Sequence, residues 1–595
     1  MSILSSLVRL STRRDDIAPF GYSPWNISFV IDITTDGTPV GVRDIRQLVG
    51  KRFRPRELIV PVYEGAARTS APRPNFLWDK STYVLGIAPE IPPNAKDDEL
   101  KALEREARLA PGHHRAFVEF HNDVLKECRD DGLLAVRRFL NAWCPERFKE
   151  LGWPSEMHGA FIVFRLDQPQ SEQEFIHERP AAQQLWNAMI DKGSDDEAIC
   201  LVTGERSPIA RTHPTIKGVK GTPSGGAIVS FNKNAFNSHG WEQGENAQIS
   251  KSAAFAYTTV LNRLLSDSGR NKMTVGNMTA VFWVEADTRA SEVEAEDALY
   301  SSLTYIDKDG EEAKHSDLFR RILRLEDIQQ FAPNLDGAAF YMLGLAGKLG
   351  RISIRFWIED SYGSIVRNYQ SFLAEMQLHS PYTKRSLNLE QYLKHLAALE
   401  DLDRISPRLP GEWMKSIING SRYPATLFST ALMRIRADGK VSRERASIVK
   451  ASLIRNFAME VPVALDVTII NKGYLLGRLF AVYEYIQSSA STVKIKSTIK
   501  DKYFASATTQ PQRVFGTLAK IASVHLSKLR KRAAGRAYSI DKQVESIVSL
   551  MSLETDPFPR SLSGQDQGMF IVGYYQQREA LFTPKTVAST DNTEE

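Results

Sequence analysis

The residues best placed to do chemistry lie in CLVTGERSPIARTHPTIKGVKGTPSGGAIVSFNKNAFNSHG, from Cys200 to Gly240. Glycines at 204, 218, 221, 225, 226 and 240 alternate with the cations Arg206, Arg211, Lys217, Lys220 and Lys233. The amides Asn232, Asn234 and Asn237 follow. Glycine reaches positive φ and lets backbone N–H groups approach a ligand. Lys and Arg neutralise phosphates, and Asn can hydrogen-bond base edges. The pattern suits a phosphate-bearing ligand whose bases are read. The bland alternative is a surface loop rich in turn residues, although loops beyond about fifteen residues in compact domains are usually functional.

A second cluster is KRFRPR, with Lys51, Arg52, Arg54 and Arg56, followed by Arg68, Arg73, Asn75, Phe76, Trp78 and Lys80. Cations interleaved with aromatics and an Asn suit a groove that grips a backbone and probes bases. Taken singly, Phe76 and Trp78 are expected in the core. The third cluster is the largest. Between Ser491 and Arg536 there are eleven basic residues, including Lys494, Lys496, Lys500, Lys528, Arg530, Lys531 and Arg532, opposed by Asp501 alone. That segment carries +10 within a chain of net charge +5, so the rest is slightly acidic. Charge runs are commonly solvated helix faces. A near-unopposed run of this size repels itself unless a polyanion relieves it, and nucleic acid is the obvious candidate.

Catalytic signatures are absent: there is no HExxH, GxSxG or GxxxxGK[ST]. The eleven histidines are scattered, and the adjacent pair His113–His114 is expected to face water in a charged helix. Three separated cysteines, Cys128, Cys144 and Cys200, argue for a reducing compartment and against a disulfide framework or cysteine zinc site. No cofactor, metal or catalytic residue is expected, and the protein is read as a binder, not an enzyme. A stand-alone nuclease or helicase subunit is the alternative; it would need a phosphate loop or clustered metal ligands.

The elements that must position these groups follow from composition and periodicity. The chain has 595 residues, 42% hydrophobic and 25% charged, as in a soluble globular protein of two to four domains. No apolar stretch is long enough for a membrane span, and MSILSSLVRLSTRRDD reads as an amphipathic helix rather than a signal peptide. ISFVIDITTDGTPVGVRDI reads as a hairpin; ELIVPVYE, TYVLGI, GAFIVFRL, AICLVTGE, MTAVFWVEAD, GAAFYMLGLAG and GRISIRFWIED read as strands. Residues 96–147 and KSAAFAYTTVLNRLLSDSG are helical. Past residue 385 the strand signals fade, and six segments show helical periodicity. The expected fold class is an α+β N-terminal domain with mixed strands and helices, followed by an all-α C-terminal helical bundle. Expected boundaries are 1–240 (carrying the Gly-rich loop), 241–385 (its α+β continuation) and 386–595 (the bundle).

Several strings together carry a resemblance: NISFVIDITTDGTPV, RTSAPRPNFLWDKSTYVLG, CLVTGERSPIARTHPTIKGV with SGGAIVSFNKNAF, AAFAYTTVLNRLL, GRISIRFW, RYPATLFSTALMRIRAD, GYLLGRLFAVYEYIQ and QGMFIVGYYQQREALF. In this order they resemble the large subunit of the type I-C CRISPR effector complex (Cascade), over nearly the whole chain. The resemblance implies recognition of the protospacer-adjacent motif on duplex DNA, duplex opening, R-loop stabilisation and recruitment of a helicase-nuclease. It implies as partners the target double-stranded DNA and its displaced single strand, the backbone and crRNA-end-binding subunits, and, through these, the guide RNA. It further implies a separate C-terminal small subunit from an internal start, for which Met459 is the expected position. A cytoplasmic, membrane-free location follows. The expected DNA contacts are Lys51, Arg52, Arg54, Arg68, Asn75, Arg206, Arg211, Lys217, Lys220, Asn232, Lys233, Asn234, Lys494, Lys496, Lys528, Arg530, Lys531 and Arg532.

Overall fold

The computed structural model describes every residue except 1, 15, 51, 63–71, 89–96, 169–174, 192–196, 267–268, 306–314, 349, 381–386, 492–496, 552–555 and 583–595. Two compact units emerge: Met1–Ile216 with Gly225–Arg263, and Lys217–Ser224 with Leu264–Glu595.

The first unit is built on a four-stranded sheet in the order Pro39–Asp44, Phe29–Ile33, Phe161–Leu166, Trp78–Lys80. The expected hairpin forms at its edge. Gly37 turns it at φ +88, where a Cβ would meet Phe139 N at 2.5 Å, so only glycine fits. Phe29–Ile33 runs parallel to Phe161–Leu166. A parallel pair needs a long crossover, and the helices Asp97–Val124 and Asp131–Ala142 lie within it. Every residue of Phe29–Ile33 is buried, including Asp32. That carboxylate is matched by Arg165 at 2.8 Å and Arg43 at 2.6 Å, as a buried charge requires.

Two local expectations are corrected here. TYVLGI is not a strand: Trp78–Lys80 takes the sheet edge, and Ser81–Val84 closes into a single buried helical turn before Gly86 at φ +71. Nor does the His113–His114 pair face water. His113 stacks on Tyr83 at 4.2 Å, and His114 Nδ1 lies 2.9 Å from the Tyr83 carbonyl. The AICLVTGE strand shrinks to Glu197–Ile199, hairpin partner of Arg206–Pro208.

The second unit joins an antiparallel meander, Lys272–Val275, Met278–Glu285, Ala339–Lys348 and Arg351–Ser361, to the C-terminal helices. One continuous hydrophobic cluster runs from Met273 to Tyr575, so sheet and helices share a core. Within it Lys472–Ala490 packs closely against Gly564–Phe582. Glycines permit that approach: a Cβ on Gly473 would sit 2.1 Å from Asp566 O, and one on Gly477 2.0 Å from Phe570 O. Tyr474 seals the pair by donating to Gln576 Oε1 at 2.6 Å. The strand-bearing N-terminal region and helical C-terminal half agree with the expected fold class. The terminal string TVASTDNTEE lies outside the described residues.

Candidate nucleic-acid interface

The basic segment becomes the helix Pro511–Arg532, entered through Pro511 at its first turn. Val514, Phe515, Leu518, Ala522, Leu526 and Leu529 are buried. At 100° per residue the opposite face gathers Arg513, Lys520, Val524, Lys528 and Lys531 within an arc of ~80° and a length of ~27 Å. All five are exposed. Gly516 lies beside this face, where an added Cβ would meet nothing within 4 Å. Arg530 and Arg532 flank the stripe, exposed but each with a partner on a neighbouring part of the chain. Arg530 pairs with Asp541 at 3.0 Å, and Arg532 donates to the Ala490 carbonyl at 3.2 Å. Arg536 donates to the Tyr485 hydroxyl at 2.6 Å. Lys500 turns inward; its ammonium lies 5.9 Å from the Tyr574 ring centre, and burial lowers its pKa. Lys494 and Lys496 lie outside the described residues.

In the first unit, KRFRPR forms a two-stranded ribbon, Gln47–Val49 with Arg52–Arg54. Leu48 faces Phe53 across the strands, and both are exposed, at 63% and 61%. Alternation puts Arg52 and Arg54 on the other face. Arg46 bridges ribbon and sheet, its guanidinium carbon 5.6 Å from the Phe53 ring centre and 5.0 Å from that of Phe29. The ribbon thus offers an apolar pair on one side and two cations on the other. Lys51 and Arg68 lie outside the described residues.

Asn75 begins a pinned loop. Its N–H donates to Asp79 Oδ2 at 2.9 Å, and its side chain is half-buried. Phe76 and Trp78 are core residues as expected, Phe76 stacking on Trp186 and the Trp78 indole donating to the Pro61 carbonyl. His121 holds the next residue, Leu77, at φ +64. Its Nε2 accepts from Leu77 N at 2.9 Å, while Nδ1 faces the Phe117 carbonyl at 2.8 Å. Those partners are satisfied by neutral imidazole, and burial lowers the pKa to about 4.

The Gly-rich loop is closely tethered. Single bridges pair Ile209 with Ser250 and Ile216 with Gly226, and Cys200 and Ile216 are fully buried. Cys200 Sγ accepts from Ser250 N at 3.2 Å. Burial alone would raise the thiol pKa, but hydrogen bonds from Ser250 and Thr203 bring it down to about 7. The expected contacts divide between the units. Arg206, Arg211, Asn232, Lys233 and Asn234 belong to the first and are exposed, whereas Lys217 and Lys220 belong to the second. Arg206 lies 3.6 Å from Glu197, and Lys220 Nζ donates to the Gly276 carbonyl at 2.8 Å.

A feature that sequence reasoning missed is His213. Its Nδ1 lies 2.6 Å from the Tyr257 hydroxyl, and its buried Nε2 has no hydrogen-bond partner among the described residues. Desolvation lowers its pKa to about 4. It lines a cavity of about 100 Å³ with Arg211, Phe231, Asn232, Gln243 and Gly244. Tyr257, forty-four residues away, and Gln243 and Gly244 give this isolated histidine its surroundings, so no local pattern could have found it.

Among the described residues, no group of three or more His, Cys, Asp or Glu side chains is placed to hold a metal ion. No described helix is long and apolar enough to cross a membrane. A family model described as CRISPR-associated protein (Cas_Csd1) matches residues 6–582. No curated protein matches the chain.

Proposed function

This chain belongs to the Cas_Csd1 family of CRISPR-associated proteins, and from that membership we propose that it is the large subunit of a type I-C Cascade-type surveillance complex. It works with other Cas subunits, a guide RNA and target DNA, and it acts by binding and not by catalysis. Its first unit recognises the protospacer-adjacent motif on duplex DNA and starts strand separation, using the ribbon cations Arg52 and Arg54, Asn75 and its own part of the Gly-rich loop. The C-terminal helices hold the opened DNA, stabilise the R-loop and help recruit the helicase-nuclease. Translation from Met459 supplies the C-terminal helices as a separate small subunit.

The observation that carries this reading is the exposed stripe Arg513–Lys520–Lys528–Lys531, backed by a buried apolar face. Such a surface binds phosphates without regard to sequence. The test is a salt titration of target binding by the assembled, guide-loaded complex. Replacing the four stripe cations by Glu should weaken binding uniformly across guide-matched targets. It should also flatten the slope of log K against log salt by about 3–4 units. An unchanged slope would remove the stripe from the DNA interface.

A further inference from the structure

Resting on the motif-reading role proposed for the first unit, we infer that the His213 cavity receives one nucleobase extruded from the DNA opened next to the motif. Three observations carry it. First, the cavity is walled by a deliberate close approach. Gly244 N donates to the Arg211 carbonyl at 3.1 Å, and a Cβ at Gly244 would come within 2.0 Å of the Ala210 carbonyl oxygen. The preceding residue, Gln243, is held at φ +44, a left-handed conformation that a non-glycine side chain adopts only when its surroundings impose it. Second, Gln243 Oε1 accepts from Arg211 Nε at 2.6 Å, fixing both long side chains at the cavity wall. Third, the His213 ring is anchored at Nδ1 by Tyr257 and leaves Nε2 buried without a partner among the described residues. Buried polar atoms are almost always paired, so an orphan at a cavity wall points to a missing ligand.

The chemistry selects the ligand class. A neutral imidazole offers one donor or one acceptor, according to tautomer, and not a charge. Arg211 and Gln243 spend part of their hydrogen-bonding capacity on each other, while exposed Asn232 adds an amide that can both donate and accept. A flat heterocycle with donors and acceptors along one edge matches this set, and Phe231 adds an aromatic wall. A phosphate would match it poorly, because it would drive the imidazole to protonate against its burial. The volume of about 100 Å³ admits more than a single water molecule. Enzymes that read extruded bases use the same combination of edge hydrogen bonds and aromatic contact. Unpairing beside a motif is favoured when a pocket of this kind holds the displaced base.

The test is an abasic scan. Single abasic sites are placed along both strands next to the motif, and binding of the guide-loaded complex is measured with the wild-type chain and with His213→Phe, which keeps an aromatic ring but removes Nε2. Asn232→Ala, at an exposed position, provides a second variant with little bearing on folding. The expected result is one position where base removal weakens wild-type binding by about tenfold and changes binding by either variant much less. Equal sensitivity of wild type and variants at every position would overturn the inference. So would variants that lose the same affinity on intact and abasic DNA, since the cavity would then hold backbone phosphate. A wild-type complex that fails to discriminate motif-bearing from motif-free duplexes would instead overturn the motif-reading role itself.

Discussion

At the residue scale, buried histidines hold the first unit to one protonation state. His121 and His177 are both fully buried, and desolvation lowers each pKa from 6.5 to about 4. The unfolded chain therefore binds protons that the folded chain refuses. Stability is fully present above about pH 6.5 and is lost as the pH falls toward 4, by about 2 kcal/mol per histidine at pH 5. Urea unfolding at pH 7.5 and pH 5 should show the drop, and His121→Phe should reduce it. The same substitution leaves Leu77 N without its acceptor and should cost about 1–3 kcal/mol at pH 7.5. That places the effect on the loop carrying Asn75. Residue types told part of this in advance: Phe76 and Trp78 were legible as core, but the burial of His113, His114, His121 and His213 depends on contacts across the chain. A single-residue signal does not contain those contacts.

At the element scale, helices with one wet face were readable, because apolar residues recur at helical spacing in segments such as Pro511–Arg532. Gly564–Phe582 carries no such one-sided pattern. It is buried along residues 568–577 without a break, so no stripe distinguishes an inner face from an outer one. The basic site was legible as charge but not as partition. Sequence alone could not show that Arg530 and Arg532, though exposed, lie off the stripe and contact Asp541 and the Ala490 carbonyl, while Arg513, itself donating to Gln510, and Lys520 lie on it. Two glycines test this scale in opposite directions. Gly477→Ala would drive a Cβ against Phe570 O and should destabilise the bundle by about 1–3 kcal/mol or more. Gly516→Ala meets open space in a helix and should stabilise it by about 0.5–1 kcal/mol. Thermal denaturation of the two variants decides both.

At the scale of the whole molecule, Met459 follows the helix Arg443–Phe457, whose end is marked by Ala458 at φ +52. Beyond it, the described residues form the helices Lys472–Ala490, Ile499–Thr509, Pro511–Arg532, Ala534–Ser549 and Gly564–Phe582. The stretch between Met459 and the first of them is tied to those helices. Gln576 donates to the Pro462 carbonyl at 2.7 Å, and Asp466 N donates to the Tyr474 hydroxyl at 3.1 Å. If translation starts at Met459, mass spectrometry of the purified complex should find a fragment beginning there, and Met459→Leu should abolish it while leaving the full chain. A complex without the fragment removes the small-subunit proposal.

The segment Lys217–Ser224 sets a timetable for synthesis. It leaves the first unit to join the second, and the chain then returns to complete the first. Gly221 packs against the Gly347 carbonyl, and Lys220 binds Gly276 and Thr279. Gly347 is translated roughly 120 residues later, a wait of about 6–24 s at ~5–20 residues per second. Until then the eight-residue excursion lacks its last partner on the nascent chain, although Gly276 and Thr279, which bind Lys220, are made earlier. Slowing or pausing translation between the codons for Thr222 and Gly347 therefore lengthens the period in which this glycine- and lysine-bearing segment is open to proteases and to wrong partners.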